Sequence, residues 1–224
     1  MAGARQAIKA GVKAALGTLV RAGWRKRVDL APSLWRLRRD PSGFLTLDGV
    51  CLHGLLERWG SPLHVLDLQR LDENCADFLE VPPGAQAGCE PYYSYKTNPV
   101  PAVLAHLHQR GIGAEVISEY ELCLALKLGV EPNQIVFNGP GRTPESLALA
   151  IGQGVLIHLN NREEIARVAH LAKELGRKAR IGIRVAPASG WNGQFGESID
   201  SGAALQRFRE ALRCADLEVL ARHC

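Results

Sequence analysis

From Tyr92 onward, short apolar runs alternate with longer stretches in which apolar residues return every three or four positions. The runs are PYYSYKTN, GAEVIS, IVFNGP, LIHLNN, RIGIRVAP and LEVLARHC. The periodic stretches lying between most of them are PAVLAHLHQRG, EYELCLALKLG, PESLALAIGQG and REEIARVAHLAKELG. Short β-branched runs predict strands, and a period near 3.6 predicts helices. All four helical stretches close on a glycine, the residue that most easily takes the left-handed turn ending a helix. Units of about 20 to 25 residues, strand then helix, predict parallel strands joined by helical crossovers. No Gly-x-Gly-x-x-Gly follows the first strand, which favours a (β/α)8 barrel over a dinucleotide-binding sheet. Six strands fall short of that barrel, and the chain stops at Cys224 inside the sixth. The expectation is therefore a barrel incomplete in this chain.

Upstream, GFLTLDGVCLHGLLERWGSPLHVLDL predicts a short strand, a turn at Asp48-Gly49, a helix ending at Gly60 and another strand from Pro62 to Leu68. Before it, MAGARQAIKAGVKAALGTLVRAGWRKR places Ile8, Val12, Leu16, Leu19 and Val20 at helical spacing beside Arg5, Lys9 and Lys13. This is a basic amphipathic helix. Lys13 interrupts what would be the apolar core of a signal peptide, and no cleavage site follows, which argues against secretion. Two readings stand for it: a solvated helix or arm, or a helix that docks on a membrane surface or an acidic partner. The expected organisation is a basic arm over 1–30, an opening strand and helix over 31–60, and a partial barrel over 61–224.

Composition narrows the function classes. The 224 residues are 46% hydrophobic, as in a soluble globular protein. The formal charge of +4 conceals an asymmetry, because seven basic residues and no acid precede Val28. The rest of the chain is net acidic, which excludes a general nucleic-acid-binding surface. The six cysteines form no Cys-x-x-Cys pair and cluster with no histidine, so neither zinc nor a disulfide framework is expected. Thiols of that kind suit a reducing compartment. No apolar run reaches the roughly 18 residues of a membrane span. A soluble, cytoplasmic protein is the expectation.

Chemistry concentrates at YYSYKTNPV. Side chains at the C-terminal ends of parallel barrel strands point into the mouth where ligands bind. Lys96 sits at such an end, with Ser94 on its face and Tyr93 and Tyr95 on the other. Apolar walls below it would desolvate the ammonium and favour the neutral amine, which attacks aldehydes. Elsewhere the chemistry is plainer. His106 and His108 lie two apart on a helix, a poor metal pair, and are expected at the surface. Asn138 to Arg142, NGPGR, is expected to be a strand-to-helix turn rather than an anion cradle.

The stretch YYSYKTNPVPAVLAHLHQRGIGAEVISEYELCLALKLGV resembles the opening of the barrel in fold-type III pyridoxal-phosphate enzymes, the diaminopimelate, ornithine and arginine decarboxylase group. Their pattern, Tyr-x-x-Lys-x-Asn followed by an acidic residue and Ser-x-x-Glu-Leu, is matched through Ser118 and Glu121. The likeness continues through LGVEPNQIVFNGPGRTPESLALAIGQGV, IGIRVAP and QFG, and upstream through LDGVCLHGLLERWGSPLHVLDLQRLDEN. It implies an alanine-racemase-like (β/α)8 barrel that binds pyridoxal 5'-phosphate, with Lys96 bonding the cofactor. Glu115 is implied near its reactive end, and Ser94 and Arg184 in its pocket. The family's phosphate and ring-nitrogen residues fall beyond position 224. The implied activity is decarboxylation of an amino acid by a homodimer, the chain being a truncated form. A diamino acid is the default substrate, and a carrier-tethered amino acid is an alternative. An amino-acid racemase on the same barrel, or a non-catalytic regulatory or cofactor-carrying homologue, are the rival readings.

Overall fold

The computed structural model describes residues 32–80, 90–186, 197–198 and 202–223. The basic helix expected over 1–30 and the QFG motif lie outside the described residues. The chain divides into two compact units, with the boundary after Asp67.

In the first unit, β1 (Leu37–Arg39), β2 (Leu45–Leu47) and β3 (Val50–Cys51) pair antiparallel in that order. The Asp48-Gly49 turn forms as expected, with φ of 47° and 84° at its two residues. Two positive φ values match the twist of the flanking strands, which explains the Asp-Gly choice. Helix α1 (Leu52–Trp59) follows and stops at Gly60, whose amide donates to the Leu56 carbonyl at 2.8 Å. The strand expected over Pro62 to Leu68 is absent: residues 62–67 pair with no described strand, and helix α2 (Leu68–Leu79) begins at its end. Alternation alone does not make a strand, which needs a hydrogen-bonding neighbour. Val65 and Leu66 are both 46% exposed.

The second unit carries the predicted cadence. After α2 come β4 (Tyr92–Ser94), α3 (Pro101–Gln109), β5 (Gly113–Val116), α4 (Glu119–Lys127), β6 (Ile135–Phe137), α5 (Pro144–Gln153) and β7 (Leu156–Leu159). Then follow α6 (Arg162–Glu174), β8 (Ala179–Ala186), β9 (Glu197–Ser198), α7 (Gly202–Arg213) and β10 (Leu217–His223). The strands run parallel in the order β4-β5-β6-β7-β8-β10, and the short β9 joins the end of β8. This is the α/β arrangement of parallel strands and crossover helices that the pattern predicts.

Alternation along each strand separates two faces. Tyr95, Ala114, Val116, Ile135, Phe137, Ile157, Leu159, Ile181 and Ile183 turn to the helices and build the core with Leu104, Leu122, Ile151 and Val168. The opposite face carries Ser94, Glu115, Val136, His158 and Arg184.

The helices start where they do because side chains satisfy their first amides. Ser118 Oγ accepts from the Glu121 amide at 3.3 Å, while the Glu121 carboxylate accepts from the Ile117 amide at 2.7 Å. Asn161 accepts from the Glu164 amide at 2.9 Å, and Glu164 in turn accepts from the Asn160 amide at 2.6 Å. Thr143 Oγ1 accepts from the Ser146 amide at 3.1 Å, with Pro144 in the first turn. These caps, reciprocal at Ser118 and Asn161, start α4, α5 and α6 in the loops that follow β5, β6 and β7, fixing the rim on which a site can be built.

Candidate active site

Strand β4 ends at Ser94, and its register with β5 sets Ser94 opposite Glu115. Their side chains share a face, and Ser94 Oγ donates a short hydrogen bond to Glu115 Oε2. The carboxylate, one methylene longer than aspartate, is thereby tied to the strand that leads into the Lys96 turn. The Tyr95 amide extends the ladder by donating to the Glu115 carbonyl at 3.0 Å. Beyond it the chain turns sharply: the Thr97 amide donates to the Ser94 carbonyl at 3.0 Å, and Asn98 Oδ1 accepts from the Val100 amide at 3.1 Å. Val100 then leads into α3, with Pro101 in its first turn.

Lys96 occupies that turn and is exposed. The desolvating walls expected around it do not reach it, because it lies past the last residue of β4. Among the described residues no carboxylate pairs with its ammonium. Arg184 stands on β8, on the Glu115 face by alternation, with β6 and β7 between. The structure therefore brings Ser94, Glu115 and the Lys96 turn together, and places Arg184 three strands beyond β5 along the same wall.

Two buried polar residues stand on that wall, Asn138 and His158, 8% and 9% exposed; sequence reasoning read Asn138 only as part of a turn and passed over His158. The signal was present in the period-two count: Asn138 follows Val136, and His158 follows Leu156. Each is a polar residue on the side of its strand that faces away from the helices.

Arg142 lies in the turn expected from NGPGR and points inward. Its Nη1 donates to the carbonyls of Phe137 at 3.2 Å and His158 at 2.6 Å, and Nη2 lies 2.9 Å from Glu164 Oε1. A guanidinium committed to two strand ends and a carboxylate braces the rim rather than cradling an anion. Gly139 belongs to the same turn. Its φ is +87°, and a Cβ there would lie 2.9 Å from the Ile117 Cβ. A cleft of about 340 Å³ opens between the loops after β5 and β6, bounded by Ile117, Ser118, Phe137, Gly141, Arg142 and Thr143.

The two histidines of α3 are not surface groups. His106 pairs with Asp72 of α2 at 2.6 Å, where Arg110 also donates at 2.7 and 2.8 Å. The Arg110 hydrogen bonds, with help from His106, hold the Asp72 carboxyl well below the usual carboxylate range. His108 turns inward to Tyr95.

An aldehyde cofactor with an anionic tail needs an accessible primary amine, and a carboxylate held near that amine can accept hydrogen bonds at the reacting end. Lys96, and Glu115 fixed by Ser94, fit that end of pyridoxal phosphate.

Comparison with known proteins places these features in a family. The chain is 32% identical over 194 residues to the diaminopimelate decarboxylase of Aquifex aeolicus, an alignment covering 81% of this chain and 45% of that protein. It is 31% identical over 148 residues to the Zymomonas mobilis enzyme of the same name, covering 65% of this chain and 35% of that one. Among solved structures, diaminopimelate decarboxylase of Methanocaldococcus jannaschii in complex with L-lysine superposes with a TM-score of 0.75 at 26% identity, covering 84% of this chain and 47% of that one. The chain thus spans less than half the length of these relatives. Residues 68–223 match the family described as pyridoxal-dependent decarboxylase, pyridoxal binding domain. With the parallel strands in order and a lysine just past the first of them, the chain belongs to the pyridoxal-dependent decarboxylases, whose pyridoxal-binding domain it carries.

Proposed function

We propose that this chain holds pyridoxal 5'-phosphate through Lys96 and serves the decarboxylation of a small amino acid, with a diamino acid such as diaminopimelate as the favoured substrate. The observation that carries the reading is the accessible Lys96 amine in a rigid turn beside the Ser94-Glu115 pair. The names of the relatives support the substrate class. Bound there, the cofactor supplies an electron sink for the pair left at Cα when the carboxylate departs.

The chain's own residues have separate tasks. Lys96 contributes the amine that bonds the cofactor aldehyde. Ser94 keeps the Glu115 carboxylate turned toward the Lys96 end of β4, where it accepts a hydrogen bond at the reacting end of the cofactor. Arg184 contributes positive charge further along the same wall. The organisation into a basic arm over 1–30, an opening segment over 31–60 and a barrel portion over 61–224 belongs to this proposal. So does a homodimer in the cytoplasm, for which the support is the family resemblance and the free thiols of Cys51, Cys75, Cys123 and Cys214. No helix of the described residues is long and apolar enough to cross a membrane.

The test is release of labelled carbon dioxide from diaminopimelate by the intact protein supplied with pyridoxal phosphate. The reading expects release that disappears in Lys96→Ala. Exchange of the Cα proton without release would replace it with a racemase. Neither reaction, together with an altered rate in an added decarboxylase subunit, would replace it with a regulatory homologue.

A further inference from the structure

The residue directly before Lys96 is a tyrosine, and it faces away from the site. Tyr95 is 0% exposed and sits in the main core with Leu104 and Leu122. A phenol in such a place needs a partner for its hydroxyl. It has one in His108 of α3, whose Nε2 lies 2.6 Å away. The other ring nitrogen, Nδ1, lies 2.8 Å from the Ile112 carbonyl. A carbonyl oxygen only accepts, so Nδ1 carries the hydrogen, and in the neutral ring Nε2 is left as the acceptor. Tyr95 therefore donates.

Burial agrees with that assignment, since it pulls His108 below its ordinary value and pushes the Tyr95 phenol up. The result is a directed chain: Tyr95 hydroxyl to His108, then His108 to Ile112. Ile112 immediately precedes β5, the strand that carries Glu115. The same Tyr95 is held by its backbone to the Glu115 carbonyl.

We propose that Tyr95 and His108 are positioning residues for Lys96, clamping the root of the cofactor lysine to α3 and to the strand of Glu115. The inference rests on the reading of Lys96 given above. Lys96 is exposed and has no carboxylate partner among the described residues, so where its amine lies is decided by the backbone beneath it. That backbone is fixed on one side by the turn through Thr97 and Asn98. On the other it is fixed by Tyr95, through one main-chain and one side-chain hydrogen bond. Loss of the side-chain bond lets the turn shift relative to Glu115 without emptying the core, because the phenyl ring remains.

The test uses the intact protein and four variants: Tyr95→Phe, His108→Leu, the double variant, and His108→Gln, whose side-chain oxygen offers an acceptor near the place of Nε2. Affinity for pyridoxal phosphate is read from the absorbance of the covalent adduct. Its rate of fixation by borohydride and the melting temperature without cofactor are measured beside it. Tyr95→Phe and His108→Leu should each weaken cofactor binding about tenfold, and the double variant no more than either. His108→Gln should stay within about threefold of the parent protein. Unchanged affinity in Tyr95→Phe overturns the proposal, whether or not the melting temperature falls. Additive losses in the double variant overturn it too, because two independent residues would not form a clamp. Should His108→Leu fail to fold, Tyr95→Phe decides alone. If the parent protein forms no adduct at Lys96, the cofactor reading itself has failed; if parent and Tyr95→Phe label equally, only the clamp has.

Discussion

Ser94 is a small residue with a large dependent. Its hydroxyl is the hydrogen bond that holds the Glu115 carboxylate across the β4-β5 pair. Ser94→Ala removes a charge-assisted bond and leaves a half-buried carboxylate without its donor, which should cost about 1 to 2 kcal/mol in denaturant unfolding. Arg142 is the larger stake. Its side chain is 2% exposed and braces two strand ends and Glu164. Truncating it takes the donor from the buried carbonyls of Phe137 and His158 and leaves Glu164 with its bonds from Asn160 alone. Arg142→Ala should therefore lose about 3 to 5 kcal/mol by the same measurement, a loss far above that of an ordinary loop residue. A loss under about 1 kcal/mol would return Arg142 to the status of a simple turn residue.

At the scale of elements, the helices α2 and α3 meet through groups that titrate. The Asp72 carboxyl is held low by Arg110 and His106, so its contribution is present above the ordinary value of 3.8 and fades as pH falls below it. Burial pulls His108 below its ordinary value of 6.5, so as pH falls below that value the unfolded chain takes up a proton that the folded chain resists. Both shifts make the fold weaker in acid, in two separate windows. Unfolding midpoints should drop as pH falls through 6.5, less so in His108→Gln, and again below pH 3.8, less so in Asp72→Asn. A midpoint that is flat as pH falls through 6.5 would contradict the lowering of His108.

The elements themselves were largely legible from sequence. Strand and helix periods gave all six main strands and the four helices between Pro101 and Glu174, three of which also carry a side-chain cap, Ser118, Thr143 and Asn161. Counting in twos placed Ser94 on its face of β4, whereas Lys96 lies past the strand in a turn, and Glu115 came from the resemblance alone. What pairing decides was not legible. The residues from Pro62 alternate like a strand but find no neighbour, and α2 emerges instead. The partners of His108, His106 and Arg142 are far apart in the chain, up to 34 residues for His106 and Asp72. Nothing local announces such contacts.

At the scale of the whole molecule, the two units are unlike in how they are held. None of the described residues 32–67 is buried, while the second unit packs most of its strands against helices in one continuous core. Low burial means low local stability. Hydrogen exchange should therefore find amides of 32–67 exchanging within the first time points and those of β5 to β8 protected to near the global stability. Limited proteolysis should cut the first unit before it touches residues 113–186. Equal protection in both units would contradict this division.

The account as a whole stands on one nitrogen atom. Mixing the intact protein with pyridoxal phosphate, reducing with borohydride and mapping the modified peptide tests it most directly. The predicted result is a single stable pyridoxyl label on Lys96, absent in Lys96→Ala. A label fixed on another lysine, or none at all, would contradict it.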